Sequence, residues 1–255
     1  MPTRELKILQ AGFPKSGNYW LYRVLCKVLQ TAGHAQPRFI HNHPVYPLAK
    51  TWPLSYKTQA DIDMIDILYE GAFFRISSRY REKIDNFAAY AAQTSHVWTH
   101  ANFCERSHQV FPHFSHIIYI IRDPRDVALS QARFAFTPYM QQFWPCWHSD
   151  PGSYLQAELA STVADWQRHV RGYLQQGARH NIHFVFYEHL LRDFNHELQR
   201  LLSWLGISLS AEQQQHIAEE TAFTHMKKQS PGHVQKARLY HWQQQLESTQ
   251  KKQVL

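Results

Sequence analysis

The chain has 255 residues, 27 Lys plus Arg against 20 Asp plus Glu, a formal net charge of +7, 18 histidines and three cysteines. That length suits a single α/β domain over residues 1 to 255. The widely spaced Cys26, Cys104 and Cys146 argue against a disulfide framework or zinc site, and no apolar run is long enough to cross a bilayer. The excess positive charge would draw polyanions, but the basic residues are scattered without a nucleic-acid module. The expectation is therefore a cytoplasmic protein with neither nucleic-acid nor membrane partners.

The first predicted strand covers residues 6 to 12 and feeds a predicted helix at 17 to 31, where Trp20, Leu21, Val24, Leu25, Val28 and Leu29 recur at helical spacing until Gly33. Between them lies Gly12-Phe13-Pro14-Lys15-Ser16-Gly17-Asn18-Tyr19-Trp20. A glycine turn at a helix N-terminus favours an anion, because unpaired backbone N–H groups and the positive end of the macrodipole face it. A nucleoside-triphosphatase loop would place Lys and Ser/Thr directly after the second glycine. Here Lys15 and Ser16 sit inside the loop and Asn18 stands where the lysine would be. In this order the residues resemble the 5'-phosphosulfate loop of sulfotransferases that use 3'-phosphoadenylyl sulfate (PAPS), whose usual form is Pro-Lys-Ser-Gly-Thr-Thr-Trp. Asn18 and Tyr19 depart from it. The resemblance implies cofactor contacts from Lys15, Ser16, Gly17, Asn18, Tyr19 and Trp20.

From Gly33 to Thr94 the chain is rich in aromatics, among them Tyr46, Trp52, Tyr56, Phe73 and Phe74, which read equally as an apolar acceptor pocket or as core. His41 and His43 precede Pro44 without carboxylate or cysteine partners and read as loop residues rather than metal ligands. A strand predicted at 96 to 101 emerges into a loop at His100-Ala101-Asn102, and strand C-terminal ends are where open parallel sheets bind ligands. An imidazole has a pKa suited to taking a proton from an attacking hydroxyl. His100 falls where the cytosolic sulfotransferases carry Lys-Thr-His, with Trp98 in the lysine position. The resemblance thus implies His100 as the base, among 18 histidines that give any single one little weight.

The next predicted strand, 116 to 122, turns into a predicted helix at 124 to 135, with Asp123 as N-cap, Pro124 at the first helical position and Asp126 in the first turn. Arg122 and Ser130 can converge there on one anion. Arg122-Asp123-Pro124-Arg125-Asp126 through Ser130 matches the family's 3'-phosphate segment at every specified position. A second aromatic stretch follows, Phe134, Phe136, Tyr139, Phe143, Trp144 and Trp147, open to the same two readings as the first. A helix at 154 to 176, a strand at 182 to 188 and a helix at 195 to 205 complete the coarse pattern. Tyr187 and the Thr221-Ala222-Phe223 stretch keep the family's order, which implies nucleotide contacts from Tyr187, Thr221 and Phe223; by composition alone they are packing residues. Trp20 and Phe223 would flank the adenine. The family's closing Arg-Lys-Gly-x-x-Gly-Asp-Trp survives only as Lys236 and Trp242, with Lys236 and Arg238 as candidates to cap the 3'-phosphate.

Strands alternating with helices predict an α/β fold with a parallel sheet. The resemblance implies a P-loop nucleotide-kinase-like three-layer arrangement with that sheet flanked by helices. It also implies in-line sulfuryl transfer from PAPS to a small-molecule hydroxyl, less readily an amine. His100 would act as base, Lys15 would stabilise growing charge and adenosine 3',5'-bisphosphate (PAP) would leave. No metal is required, since a sulfuryl group carries less charge than a terminal phosphoryl group. A P-loop nucleotide phosphotransferase and a non-catalytic PAPS- or polyanion-binding protein are the rival readings. Acceptor identity and oligomeric state are not legible.

Overall fold

The computed structural model describes residues 6–56, 58–229 and 239–254. Seven strands form one sheet: β1 (Ile8–Gly12), β2 (Asp63–Leu68), β3 (Gly71–Ile76), β4 (Tyr80–Lys83), β5 (His96–Thr99), β6 (His116–Ile121) and β7 (Ile182–Phe186), in the order β4-β3-β2-β5-β1-β6-β7. From β2 to β7 across the sheet the neighbours are parallel, whereas β3 and β4 add an antiparallel extension beyond β2. The four predicted strands are the central and right-hand parallel ones. The other three strands went unpredicted.

Strand alternation assigns side chains to two faces. Ile8, Met64, Trp98, Ile118, Ile120 and Val185 pack with the apolar side of the first helix, Asn18–Thr31, and with Leu198, Leu201, Leu202 and Leu205 of helix Phe194–Leu205. On the other face Leu9, Ile65, Phe74, Val97, Ile117, Tyr119 and Ile182 meet Val170 and Tyr173 of the long helix Pro151–His180. A third cluster joins Ala128, Leu129 and Ala132 of helix Pro124–Ala135 to Leu155, Leu159 and Val163. The layers are helices, sheet and helices.

The helix boundaries follow local chemistry. The first helix ends where Gly33 takes φ 77° and His34 N–H reaches back to the Leu29 carbonyl. Asp123 caps the helix at Pro124 by accepting from Arg125 N–H at 2.9 Å. The long helix starts at Pro151, three residues before the predicted position, because Asp150 and Ser153 form a capping box. It runs to His180 and stops at Asn181 in the left-handed region. Tyr187 opens a short helix, Tyr187–Arg192, instead of closing the strand before it.

Gln10 of β1 and His96 of β5 are buried polar residues that bond to each other. His96 Nε2 donates to Gln10 Oε1 (3.1 Å), and Gln10 Nε2 donates to the Asn18 carbonyl (2.7 Å), tying the sheet to the first turn of the first helix. Burial, with Arg38 as a further positive charge, lowers the His96 pKa to about 3. Below pH 6.5 the unfolded chain takes a proton on this imidazole that the folded chain refuses, so stability is lost as pH falls from about 6.5 towards 3. His96→Leu is expected to flatten the pH dependence of unfolding free energy in that window by about 1.4 kcal/mol per pH unit, whatever its effect on stability at pH 7. Urea denaturation at several pH values measures the slope, and an unchanged slope would sink the assignment.

Candidate active site

Parallel register brings three strand ends together. Ala11 of β1 lies beside Thr99 of β5 and Tyr119 of β6, and Gly12 lies beside Ile120. The residues just beyond these ends are His100, the loop from Phe13 to Gly17, and Arg122, so all three emerge at one edge of the sheet.

The loop is tight. Lys15 has φ 69° and Gly17 has φ 95°, both left-handed. A Cβ at Gly17 would lie 2.4 Å from Tyr187 Cδ2, and one at Gly12 would lie 2.3 Å from Asn18 Oδ1 and 2.7 Å from Ile120 Cγ2. Asn18, which stands apart from the usual motif, braces the loop by donating from Nδ2 to the Phe13 carbonyl at 2.8 Å. The Ser16 hydroxyl is buried at the centre of this turn with no hydrogen-bond partner.

Two cations from distant parts of the chain meet here. The Arg122 guanidinium donates to the Lys15 carbonyl at 3.1 Å and stacks 4.3 Å from the Tyr187 ring centroid, while its Nε is buried without a partner. Lys15 Nζ lies 3.7 Å from the Phe134 ring centroid. Burial, reinforced by the Arg122 charge, lowers the Lys15 pKa to about 8. Such a pair repels itself and favours an anion between its members.

His100 Nδ1 lies 2.6 Å from the Gly12 carbonyl. A carbonyl only accepts, so Nδ1 carries the proton and Nε2 keeps its lone pair. The loop backbone therefore sets the tautomer that a general base needs. Burial lowers the His100 pKa to about 3, helped by Arg75, His169 and Lys15 and opposed by the Gly12 hydrogen bond. Behind it, His169 of the long helix donates from Nε2 to the His100 carbonyl (3.1 Å) and accepts at Nδ1 from Tyr119 Oη (2.6 Å). Tyr173 Oη donates to the Ala101 carbonyl (3.0 Å).

A cavity of about 630 Å³ opens above these groups. Lys15, Gly17, Asn18, Tyr19, Trp20, His100, Arg122, Ser130, Tyr187 and Phe223 all line it. Among the described residues Ser16 and Thr221 do not line it. The Thr221 hydroxyl donates to the Ile217 carbonyl, and its own carbonyl accepts from the Trp20 indole N–H at 3.0 Å. Lys236 and Arg238 lie outside the described residues. Trp20 and Phe223 have ring centroids 4.5 Å apart and touch directly, so they make one wall and leave no room for a ring between them. Of the aromatics read as a pocket or core, Tyr56, Phe134 and Tyr139 line the cavity; Phe74 is core and Trp147 is fully exposed.

The sequence reading missed Arg75, Asp126, Arg133 and His241 of the lining. Arg133 Nη2 lies 3.0 Å from His241 Nδ1, and Asp126 accepts from Trp242 N–H at 2.9 Å, so the C-terminal segment reaches the cavity through helix Pro124–Ala135. Asp126 was legible as a helix-start acid but not as a contact for a residue 116 positions away. Arg75 sits in an unpredicted strand, although alternation in Ala72-Phe73-Phe74-Arg75-Ile76 after the Glu70-Gly71 turn signal could have revealed that strand. No group of three or more His, Cys, Asp or Glu among the described residues could hold a metal ion, and no helix among them is long and apolar enough to cross a membrane.

Comparison with known proteins gives a family. The family model described as "Sulfotransferase domain" matches residues 5–254. Sulfotransferase 1A1 of Bos taurus is 33% identical over 117 residues, covering 44% of this chain and 37% of that protein. Sulfotransferase 2A2 of Rattus norvegicus is 25% identical over 223 residues, covering 87% and 66%. In both cases the chain spans less than two thirds of its relative's length. Among solved structures, retinol dehydratase in complex with androsterone and inactive cofactor PAP superposes with a TM-score of 0.64 at 18% identity, covering 100% of this chain and 80% of that one. That likeness establishes the fold, including the α/β layering and the mostly parallel central sheet.

Gly17→Ala tests the tightness of the loop. A left-handed backbone and the Tyr187 ring both oppose the added methyl, so a loss of at least about 1 kcal/mol in urea unfolding is expected. Stability equal to the parent would show that the loop relaxes freely.

Proposed function

Because the chain belongs to the sulfotransferase family, we propose that it moves a sulfuryl group from PAPS to the hydroxyl of a small-molecule acceptor. The observation that carries this reading is the meeting of Lys15 and Arg122, from two separate turns, at a helix N-terminus beside a histidine whose Nε2 is unprotonated. The residues present fit the cosubstrate. Lys15, Gly17, Asn18, Tyr19 and Trp20 line the cavity at the start of the first helix, and Arg122, which also lines it, keeps a buried Nε without a partner.

PAPS supplies an activated sulfuryl group and a leaving group, PAP, that is stable as an anion. In this reading Lys15 and the N–H groups from residues 15 to 20 hold the 5' end and neutralise charge that grows there as the acceptor attacks. Arg122 and Ser130 hold the 3'-phosphate, and the Trp20–Phe223 wall with Tyr187 receives the adenine. His100 takes the acceptor's proton on Nε2 while its Nδ1–H remains bound to the Gly12 carbonyl, so the ring keeps its orientation as it becomes charged. Its low pKa keeps the ring neutral at working pH, and anionic charge introduced alongside makes it more basic. Trp98 leaves no lysine two residues before the base. The androsterone bound by the structural relative, a hydroxylated steroid, is in keeping with a hydroxyl acceptor. A nucleotide phosphotransferase is disfavoured by Lys15 and Ser16 lying inside the loop instead of after Gly17.

PAP should raise the melting temperature and ATP with magnesium should not, and labelled PAPS should donate to hydroxyl acceptors. His100→Ala is expected to lower transfer by roughly 10²- to 10⁴-fold while PAP affinity is retained. Stabilisation by ATP–magnesium alone would favour the phosphotransferase, and PAP binding without transfer to any acceptor would favour a non-catalytic binder. Lys15 supplies a pH signature: it is protonated below about 8 in the free protein, so PAP affinity is expected to fall as pH rises beyond that point. Lys15→Arg should remove the decline, as read by calorimetry from pH 7 to 10. A decline that persists in Lys15→Arg would assign the titration to another group.

A further inference from the structure

The side of the cavity away from the nucleotide contacts has a chemistry of its own. Its floor is a row across three strands: Arg75 of β3 pairs with Met64 of β2, and Met64 pairs with Trp98 of β5, so the three side chains share one face of the sheet. His100 follows two residues after Trp98 and lies against it, with ring centroids 5.2 Å apart. Tyr19, Tyr56, Tyr139 and Met140 line the walls. These surfaces suit a flat apolar body.

The polar groups on this floor are hydrogen-bond donors. Trp98 is 4% exposed, and its indole N–H, which can only donate, is buried with no partner. Arg75 likewise has no acceptor atom. Its Nε lies 3.0 Å from Asp66 Oδ1 as an ion pair but makes no hydrogen bond, and its bond to the Ser77 carbonyl (3.0 Å) occupies one of the five N–H groups that a guanidinium carries. Its positive charge reaches His100, where only burial has a larger effect on the imidazole. A buried donor is costly unless an acceptor meets it, and a guanidinium fork matches a carboxylate. Neutral hydroxyl compounds without a further oxygen would leave the Trp98 N–H unmet.

We propose that the acceptor is a hydroxylated aromatic carrying a carboxylate, whose ring lies along the Met64–Trp98 floor and whose carboxylate is held by Arg75 and the Trp98 indole N–H while its hydroxyl faces His100. This deepens the sulfotransferase reading and rests on it. Arg75 and Trp98 then select the acceptor and take no part in gripping the nucleotide.

The test is equilibrium binding to the protein already saturated with PAP, so that turnover is not required. The probes are 4-hydroxybenzoate, 4-hydroxyphenylacetate and 4-hydroxycinnamate, each compared by calorimetry with its primary amide. At least one acid should bind roughly tenfold or more tightly than its amide, as expected for a charge-assisted contact. Arg75→Gln should bring the ratio to about twofold or less with PAP affinity unchanged, and Trp98→Phe, which keeps the ring packing and removes only the N–H, should lower it in part. Amides binding as well as acids, no binding of any acid, or an unchanged ratio in Arg75→Gln overturns the inference while PAP binding stands. A loss of PAP affinity in Arg75→Gln or Trp98→Phe overturns it by assigning those donors to the nucleotide. Failure of PAP to bind the parent protein overturns the sulfotransferase reading itself.

Discussion

The arrangement of this molecule depends on the in-register parallel pairing of β5, β1 and β6. Parallel strands start at the same end of a sheet and finish at the same end, so whatever follows each strand shares one edge. With Ala11 beside both Thr99 and Tyr119, the next few residues of three segments, the first far in sequence from the other two, are forced into one neighbourhood. Their order in the sheet fixes their positions: the glycine loop in the middle, the imidazole on one side and the guanidinium on the other. A two-residue slip of either outer strand would keep every apolar side chain on its own face and still pull His100 or Arg122 away from the loop.

Rigidity follows from how the exposed ends are tied. The carbonyls of His100 and Ala101 leave the sheet unpaired by strands, and the long helix meets them with His169 and Tyr173. Tyr119 on β6 bonds the other nitrogen of His169, so His100 is connected through one ring to the strand that leads into Arg122. On the remaining side the Gly12 carbonyl fixes the tautomer. Two of the supports, the Gly12 carbonyl and Tyr119, lie on the strands that lead into the Lys15 loop and Arg122. Two neighbouring cations give this edge its charge. Lys15 and Arg122 are held together by a backbone carbonyl and by aromatic faces instead of by carboxylates, which would have neutralised them.

Much of this was legible because the informative residues sit at strand ends with strong local signals. Gly12 and Gly17 bracket a turn, Asp123-Pro124 announces a helix start, and an apolar run precedes each; the structure puts Lys15, Arg122 and Ser130 around one cavity, together with His100, which only the resemblance singled out. The hairpin strands were hidden for a physical reason. They interleave Asp63, Asp66 and Arg75 with apolar residues, and the first of these carboxylates is buried by bonds to the N–H groups of Phe39 and Ile40, a compensation that no local pattern displays. Trp20 and Phe223 were placed by motif on two sides of a ring, yet the Trp20 indole is drawn against Phe223 by its bond to the Thr221 carbonyl. Thr221 likewise was read as a ligand contact, whereas its hydroxyl closes a helix end. Side-chain roles that depend on a partner 200 positions away cannot be read from spacing.

The C-terminal segment shows how a fragment of a motif can persist after most of its pattern has gone. Trp242 is held in three ways: its N–H is accepted by Asp126, its ring is covered by the Arg125 guanidinium at 3.6 Å, and its neighbour His241 meets Arg133. All three partners belong to the helix that begins at the Asp123 cap, and Arg125 is itself aligned by bidentate bonds to Asp123. The tryptophan is therefore a clamp that fastens the end of the chain to the wall of the cavity, a task that requires a large flat side chain. Burial pushes the Asp126 carboxyl up, with Arg122 and the Trp242 N–H opposing that rise, so the residue that anchors the C-terminal segment is also coupled electrostatically to the Arg122 guanidinium of the cavity. Docking of the chain end and the charge of the cavity are thereby parts of one network.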